Sequence, residues 1–137
     1  MPDNLKRYRH SAYIAQSGRC YYCDFLIWES DPQGFAQIHR ITVAQARLLQ
    51  STAEHLQAKQ DGGKDVAPNI AAACWICNFR RHARKRAPDA GAFSKLVKSR
   101  VSKGRWHDQR FHLIPTLRAR ENGSVSRSVE EEGYGRT

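Results

Sequence analysis

The stretch "AACWICNFRRH", Ala72 to His82, decides how this chain reads. Cys74 and Cys77 stand at the spacing that lets one turn present two sulfurs to one metal ion. Asn78 and His82 follow four residues apart. On a helix beginning near Cys77 they share a face, one turn from each other. An Asn amide oxygen and a His ring nitrogen can both ligate a metal. The segment therefore joins half of a structural metal site to a pair of residues fit for chemistry.

The other half is "CYYC". Cys20, Cys23, Cys74 and Cys77 form two Cys-x-x-Cys pairs and account for all four cysteines. The start, "MPDNLKRYRH", has no apolar h-region, and no apolar run approaches the ~20 residues of a membrane span. A cytoplasmic, reducing location and no membrane association are therefore expected. There, zinc is the better reading of paired cysteines than disulfides, with free or redox-active thiols as the alternative. At 137 residues and 40% apolar composition the chain reads as one domain with ragged ends, its modest core helped by a metal staple.

Charge is uneven. Residues 66–120 carry 13 Lys or Arg against Asp89 and Asp108, a balance of +11, while the rest has ten basic and eleven acidic residues. An excess confined to the second cysteine pair and beyond fits neutralisation of nucleic-acid phosphates. A solvated basic face would leave the same run of charge.

Periodicity and breakers outline the elements. "NLKRYRHSAYIAQSG" spaces Leu5, Tyr8 and Ala12 as on a helix, with Gly18 as its stop. "DFLIW" reads as a short strand, and Pro32 with Gly34 as a break. Thr42 opens a helix with Val43, Ala46, Leu49 and the stem of Arg47 inward. "TAEHL" reads as a strand, "QAKQDGGKDVAP" as a loop around Gly62 and Gly63, and "IAAA" as a second strand. The helix "CNFRRHARKR" is ended by Pro88. Asp89 caps the next one, which runs to about Lys103 before Gly104. "RFHLIPTL" reads as a final strand, and Ser, Gly and "EEE" after Arg120 as a disordered tail. Residues 1–19 then form an N-terminal helix, 20–87 a core, 88–119 a basic extension and 120–137 a tail.

"AEHL", "GG", "PNI" and "CWICN", in this order, resemble the HNH endonucleases, in the branch with two Cys-x-x-Cys pairs. The likeness spans about Cys20 to Arg86. It implies an α+β fold: a ββα-metal, treble-clef-like core stapled by a four-cysteine zinc site, with flanking helices. His55 matches the first His, Asn69 the central Asn, Asn78 the final His-or-Asn position, and His82 the second His of members with His-x-x-x-His on this helix. Two features depart from the family. Residues 38–51 insert a helix, and the acid before the first His is Glu54 where Asp is usual. Neighbouring strand residues point to opposite faces, so Glu54 and His55 can share a site only through a bulge or a strand end.

The resemblance implies a metal-dependent DNA endonuclease or nickase. His55 would be the general base, Asn69 would orient it or hold the loop, and Asn78, His82 and Glu54 would hold one Mg²⁺ or Mn²⁺. Arg80, Arg81, Arg84, Lys85 and Arg86 would contact DNA phosphates, and Trp106, Arg105, His107 and Arg110 could also grip nucleic acid or form a packed C-terminal element. Two alternatives remain. One is a zinc-stabilised DNA- or RNA-binding module that does not cut. The other is a zinc-scaffolded interaction domain, which leaves the basic run unexplained.

Overall fold

Asp31 and Thr42 each start a helix, and between them they deliver the chain to its sheet. The computed structural model describes residues 2–121. Helix α1 spans Asp3–Ala15, with Leu5 buried, and the chain leaves it through Gly18 at φ 72°. Pro32 does not break the chain as expected. It sits in the first turn of α2 (Pro32–His39), behind Asp31, whose Oδ1 accepts from the Gly34 N–H at 2.9 Å. Proline needs no hydrogen-bond partner in the first turn and presets φ, so Asp-Pro was a start signal. Helix α3 (Val43–Leu48) opens with a reciprocal capping box between Thr42 and Gln45. Ala46 and Leu49 are buried, but Arg47 faces solvent.

The two expected strands form. β1 (Ser51–His55) pairs antiparallel with β2 (Ile70–Cys74), in register from Ser51 opposite Cys74 to His55 opposite Ile70. Gln16, just beyond α1, reaches the far side of β2. Its amide accepts from the Ala72 N–H at 3.0 Å and donates to the Ala72 carbonyl at 2.8 Å. The alanines of β2 are all buried.

Helix α4 (Trp75–His82) begins earlier and ends earlier than the sequence suggested. Cys74 is its N-cap, with Sγ accepting from the Cys77 N–H at 3.4 Å, and the chain leaves the helix at His82, well before Pro88. Only part of the basic run is therefore helical. Helix α5 (Ala90–Ser102) follows expectation, with Asp89 capping the Ala92 N–H and Gly104 at φ 66° beyond it.

Two expected strands do not form. "DFLIW" is extended but makes only single bridges, Arg19 with Leu26 and Trp28 with Gln50, because Asp24 at φ 62° turns the chain for the cysteines. "RFHLIPTL" holds α6 (Gln109–His112), capped by Asp108, and then turns. It meets the "DFLIW" stretch through a backbone bond from the Leu26 N–H to the Leu117 carbonyl and through the Phe25 ring, edge-on to His112 with centroids 5.1 Å apart. Phe93, Val97, Trp106, Phe111 and Leu117 pack into the same core as the cysteines, so the basic C-terminal segment is part of the body. The expected tail lies outside the described residues from 122 on. Arg120 is tied by its guanidinium to Asp24 at 2.6 Å. Among the described residues no helix is long and apolar enough to cross a membrane.

Candidate functional site

Cys20, Cys23, Cys74 and Cys77 are buried and unpaired by disulfides, and their four sulfurs lie within 4.8 Å of one another. Cys23 and Cys74 are 3.9 Å apart at sulfur. Tetrahedral Zn–S bonds of ~2.3 Å require sulfurs about 3.8 Å apart, so the donor set and its spacing fit zinc. Burial works against charge at Cys20, yet hydrogen bonds from Cys23, Cys74 and Cys77 outweigh it and hold its pKa well below the usual thiol value. Burial pushes Cys23 and Cys77 well up. Such a cluster gains from a cation that neutralises all four sulfurs at once. The four-cysteine cluster thus suggests a structural zinc site, and it fastens the start of α4 to the first knuckle.

Two ring nitrogens of the C-terminal segment reach these sulfurs. Trp106 Nε1 donates to Cys77 Sγ at 3.2 Å, and His107 Nε2 lies 3.3 Å from Cys23 Sγ. Burial pushes the His107 pKa down to about 3, so the ring is neutral. Trp106 is nearly covered, and the Arg80 guanidinium sits 4.6 Å above its ring. The packed C-terminal element is the arrangement found, and neither ring is free to grip nucleic acid.

One helical turn beyond Cys77, the other expected residues converge. Glu54 and His55, at the end of β1, open with Asn78 and His82 of α4 onto one cavity of about 270 Å³. The two neighbours on β1 share the cavity because His55 is the last residue of the strand, where strict alternation stops binding. His82 Nε2 lies 3.0 Å from Glu54 Oε1. Asn78 Nδ2 donates to Thr52 Oγ1 at 3.0 Å, which fixes the amide against β1.

Glu54 is the most enclosed of these groups, at 1% exposure. Its second oxygen, Oε2, accepts from the Tyr22 hydroxyl at 2.7 Å and from Arg81 Nη1 at 2.8 Å. Burial, with the Glu54 charge beside it, pushes the Tyr22 pKa up, so the phenol stays a donor. Arg81 also donates to the carbonyls of His55, Leu56 and Pro88. Arg81 is therefore not the phosphate contact expected of it. It is 2% exposed, lies on the α4 face of Cys77, and binds protein on every side. Arg80 is committed to Trp106, donating to its carbonyl as well as covering its ring. Arg84, Lys85 and Arg86 remain exposed.

The Asn69 side chain makes its hydrogen bonds within the loop. It accepts from the Gln57 N–H at 2.8 Å and donates to the Gln57 and Lys64 carbonyls, both at 3.1 Å. Of its two expected roles, it holds the loop. The imidazole is oriented by Asp65, which sequence reasoning missed: His55 Nε2 lies 2.7 Å from Asp65 Oδ1. That hydrogen bond holds the Asp65 carboxyl below its usual range. A carboxylate only accepts, so Nε2 carries a proton, and in the neutral ring the lone pair is then on Nδ1. One acid in a polar Gly-rich loop gives no periodic signal. Arg81, by contrast, was legible from its four-residue offset from Cys77.

Residues 41–84, which hold α3, β1, the loop, β2 and α4, match the family model of the HNH endonucleases. Residues 41–84 thus match an HNH endonuclease domain, and the clustered cysteines with the two-stranded sheet and its helices agree with an α+β fold of that kind. The match takes in the loop, both strands and the second cysteine pair. HNH domains generally bind nucleic acid, and the family consists largely of nucleases. Neither the comparison with curated proteins nor that with solved structures gives a match.

Proposed function

We propose that this protein is a metal-dependent DNA endonuclease or nickase that hydrolyses phosphodiester bonds with His55 as general base. The observation that carries it is the single cavity shared by Glu54, His55, Asn78 and His82, the last two on the helix whose first turn belongs to the cysteine cluster. Glu54, Asn78 and His82 would hold a catalytic Mg²⁺ or Mn²⁺, which when bound stabilises the charge developing on the phosphate and the departing oxygen. Cys20, Cys23, Cys74 and Cys77 would hold a separate structural Zn²⁺.

The chain's own groups divide the work. His55 takes a proton from the attacking water at Nδ1, while Asp65 keeps the other nitrogen protonated and steadies the imidazolium that results. Asn69 fixes the loop that brings Asp65 to that ring. Arg81 and Tyr22 hold Glu54 Oε2, so the carboxylate presents Oε1 to the cavity. To hold such an ion, His82 would offer a bare ring nitrogen, so any proton shared between its Nε2 and Glu54 Oε1 would have to leave. Arg84, Lys85 and Arg86 supply phosphate contacts that carry no sequence information.

The test is plasmid nicking with Mg²⁺ or Mn²⁺, comparing the parent chain with His55→Ala. Cleavage by the parent and its loss in the variant supports the proposal. Absence of cleavage by either, with DNA binding retained, would favour the non-cutting DNA- or RNA-binding module.

A further inference from the structure

Two large aromatic side chains stand in solvent on the helix that carries Asn78 and His82. Trp75 is 42% and Phe79 54% exposed, and their rings stack with centroids 4.9 Å apart and planes 8° from parallel. Burying them inside the protein would have been favourable, by roughly 1.5–3 kcal/mol for a fully covered Phe. Their place on α4 is informative. At 100° per residue, Asn78, His82, Trp75 and Phe79 fall in that order within one arc of about 100°. The aromatic pair is thus the continuation of the cavity-facing stripe, and Cys77 and Arg81 lie on the buried side.

We infer that Trp75 and Phe79 form a stacking platform for an unpaired base of the DNA strand whose phosphate enters the cavity. The inference rests on the nuclease reading and adds a substrate class to it: single-stranded or locally unpaired DNA. Two observations select this occupant. The segment around the platform carries the whole positive excess of the chain, with Arg84, Lys85 and Arg86 exposed just beyond α4, so the surroundings attract a polyanion. The exposed ring area is about 200 Å², far below the ~800 Å² each side of a stable protein interface buries, but sufficient for one base. A π-face accepts any base, so the platform would confer a preference for unpaired strands without one for sequence.

The test uses intrinsic fluorescence, because Trp28 and Trp106 are buried and Trp75 is the tryptophan that solution contacts can quench. The full chain, without added divalent metal, is titrated with (dT)₈ and with an abasic oligonucleotide of equal length. Both carry the same phosphates, and only one carries bases. The expected result is quenching by (dT)₈ and an affinity roughly 5- to 150-fold above that of the abasic strand. Trp75→Leu/Phe79→Leu should erase that preference while keeping the parent's salt dependence, and Trp75→Phe should keep the preference. Zinc content verifies that each variant is folded.

Equal affinity of the parent for both strands overturns the inference, as does a preference that survives in the double variant. So does a concentration-dependent dimer that the double variant abolishes with base preference unchanged, which would make the face a contact between copies. Nicking is assayed separately. A parent that nicks but ignores bases refutes the platform alone, and one that prefers bases but never cuts refutes the endonuclease and retains the platform.

Discussion

Arg81 Nη1 lies 2.8 Å from Glu54 Oε2, and neither side chain has more than 2% of its surface in water. An ion pair so enclosed fixes geometry more than it adds stability, because desolvation offsets most of the attraction. Breaking it from one side is another matter. Arg81→Ala leaves a buried carboxylate with Tyr22 and His82 as its remaining partners, and should lower unfolding free energy by roughly 3–5 kcal/mol. Tyr22→Phe removes the hydroxyl that donates to Glu54 and accepts from Arg81, and should cost about 1–3 kcal/mol. Urea denaturation of both variants measures the difference. Equal, small losses would mean that the network is looser than its distances suggest.

The cysteine cluster should bind one Zn²⁺ per chain. Cys74→Ser removes both a ligand and the N-cap of α4, so zinc content, helicity and resistance to proteolysis should fall together. Trp106→Phe keeps an aromatic ring and loses the N–H on Cys77, and it should speed zinc release to a chelator while the fold persists. Elemental analysis with a colorimetric chelator decides both. A folded, reduced protein without zinc would sink the assignment.

His55→Ala should reduce cleavage by about 10²–10⁴-fold, the usual worth of a positioned base, while leaving DNA affinity intact. Asp65→Asn is the sharper probe. An amide can present its N–H to the ring, in which case Nε2 becomes the acceptor and the Nδ1 lone pair is lost. Cleavage should fall and its pH profile should change shape, with thermal stability near that of the parent. If Asp65→Asn alters neither rate nor profile, Asp65 is a bystander.

Neutralising Arg84, Lys85 or Arg86 should weaken DNA binding for all sequences alike. Removing one phosphate-binding charge should reduce the slope of log K against log salt by about 0.9 on duplex DNA. Arg81→Ala, once corrected for unfolded protein, should leave that slope unchanged. Filter binding or anisotropy across a salt series tells the residues apart.

His39 is buried against Phe35, and that burial holds its pKa below the usual imidazole value; His112 shifts the same way for the same reason. The folded state refuses a proton that the unfolded chain accepts below pH ~6.5. Stability from this source is complete above pH ~6.5 and is lost as pH falls toward the depressed folded values. His39→Gln should flatten part of that decline in thermal melts. An unchanged slope would place the acid sensitivity elsewhere.

Much of this was legible in the sequence. The Cys-x-x-Cys pairs, the capping signals of Thr42 and Asp89, and the ordered "EH", "GG", "N" and "CN" pieces each rest on local chemistry, and each element they mark is found. Local signals failed where tertiary partners decide. "RFHLIPTL" has strand composition, yet Asp108 captured its start for a helical turn. The Asp65–His55 contact joins residues across a loop with no period. Arg81 was misread by composition: inside a basic run it looked like surface, although its helical phase placed it beside Cys77.

The hydrogen bonds from Gln16 to Ala72 have a consequence for how copies of this protein coexist. An alanine-rich strand in a two-stranded sheet is an open template, to which any extended segment could add and from which fibrils could grow. The Gln16 amide copies the donor–acceptor pair of a neighbouring strand and stops there. The main-chain groups of Ala72, at the middle of β2, are already taken by that side chain and, at the carbonyl, by the Tyr21 N–H, so a strand arriving from another copy finds this stretch of the edge occupied.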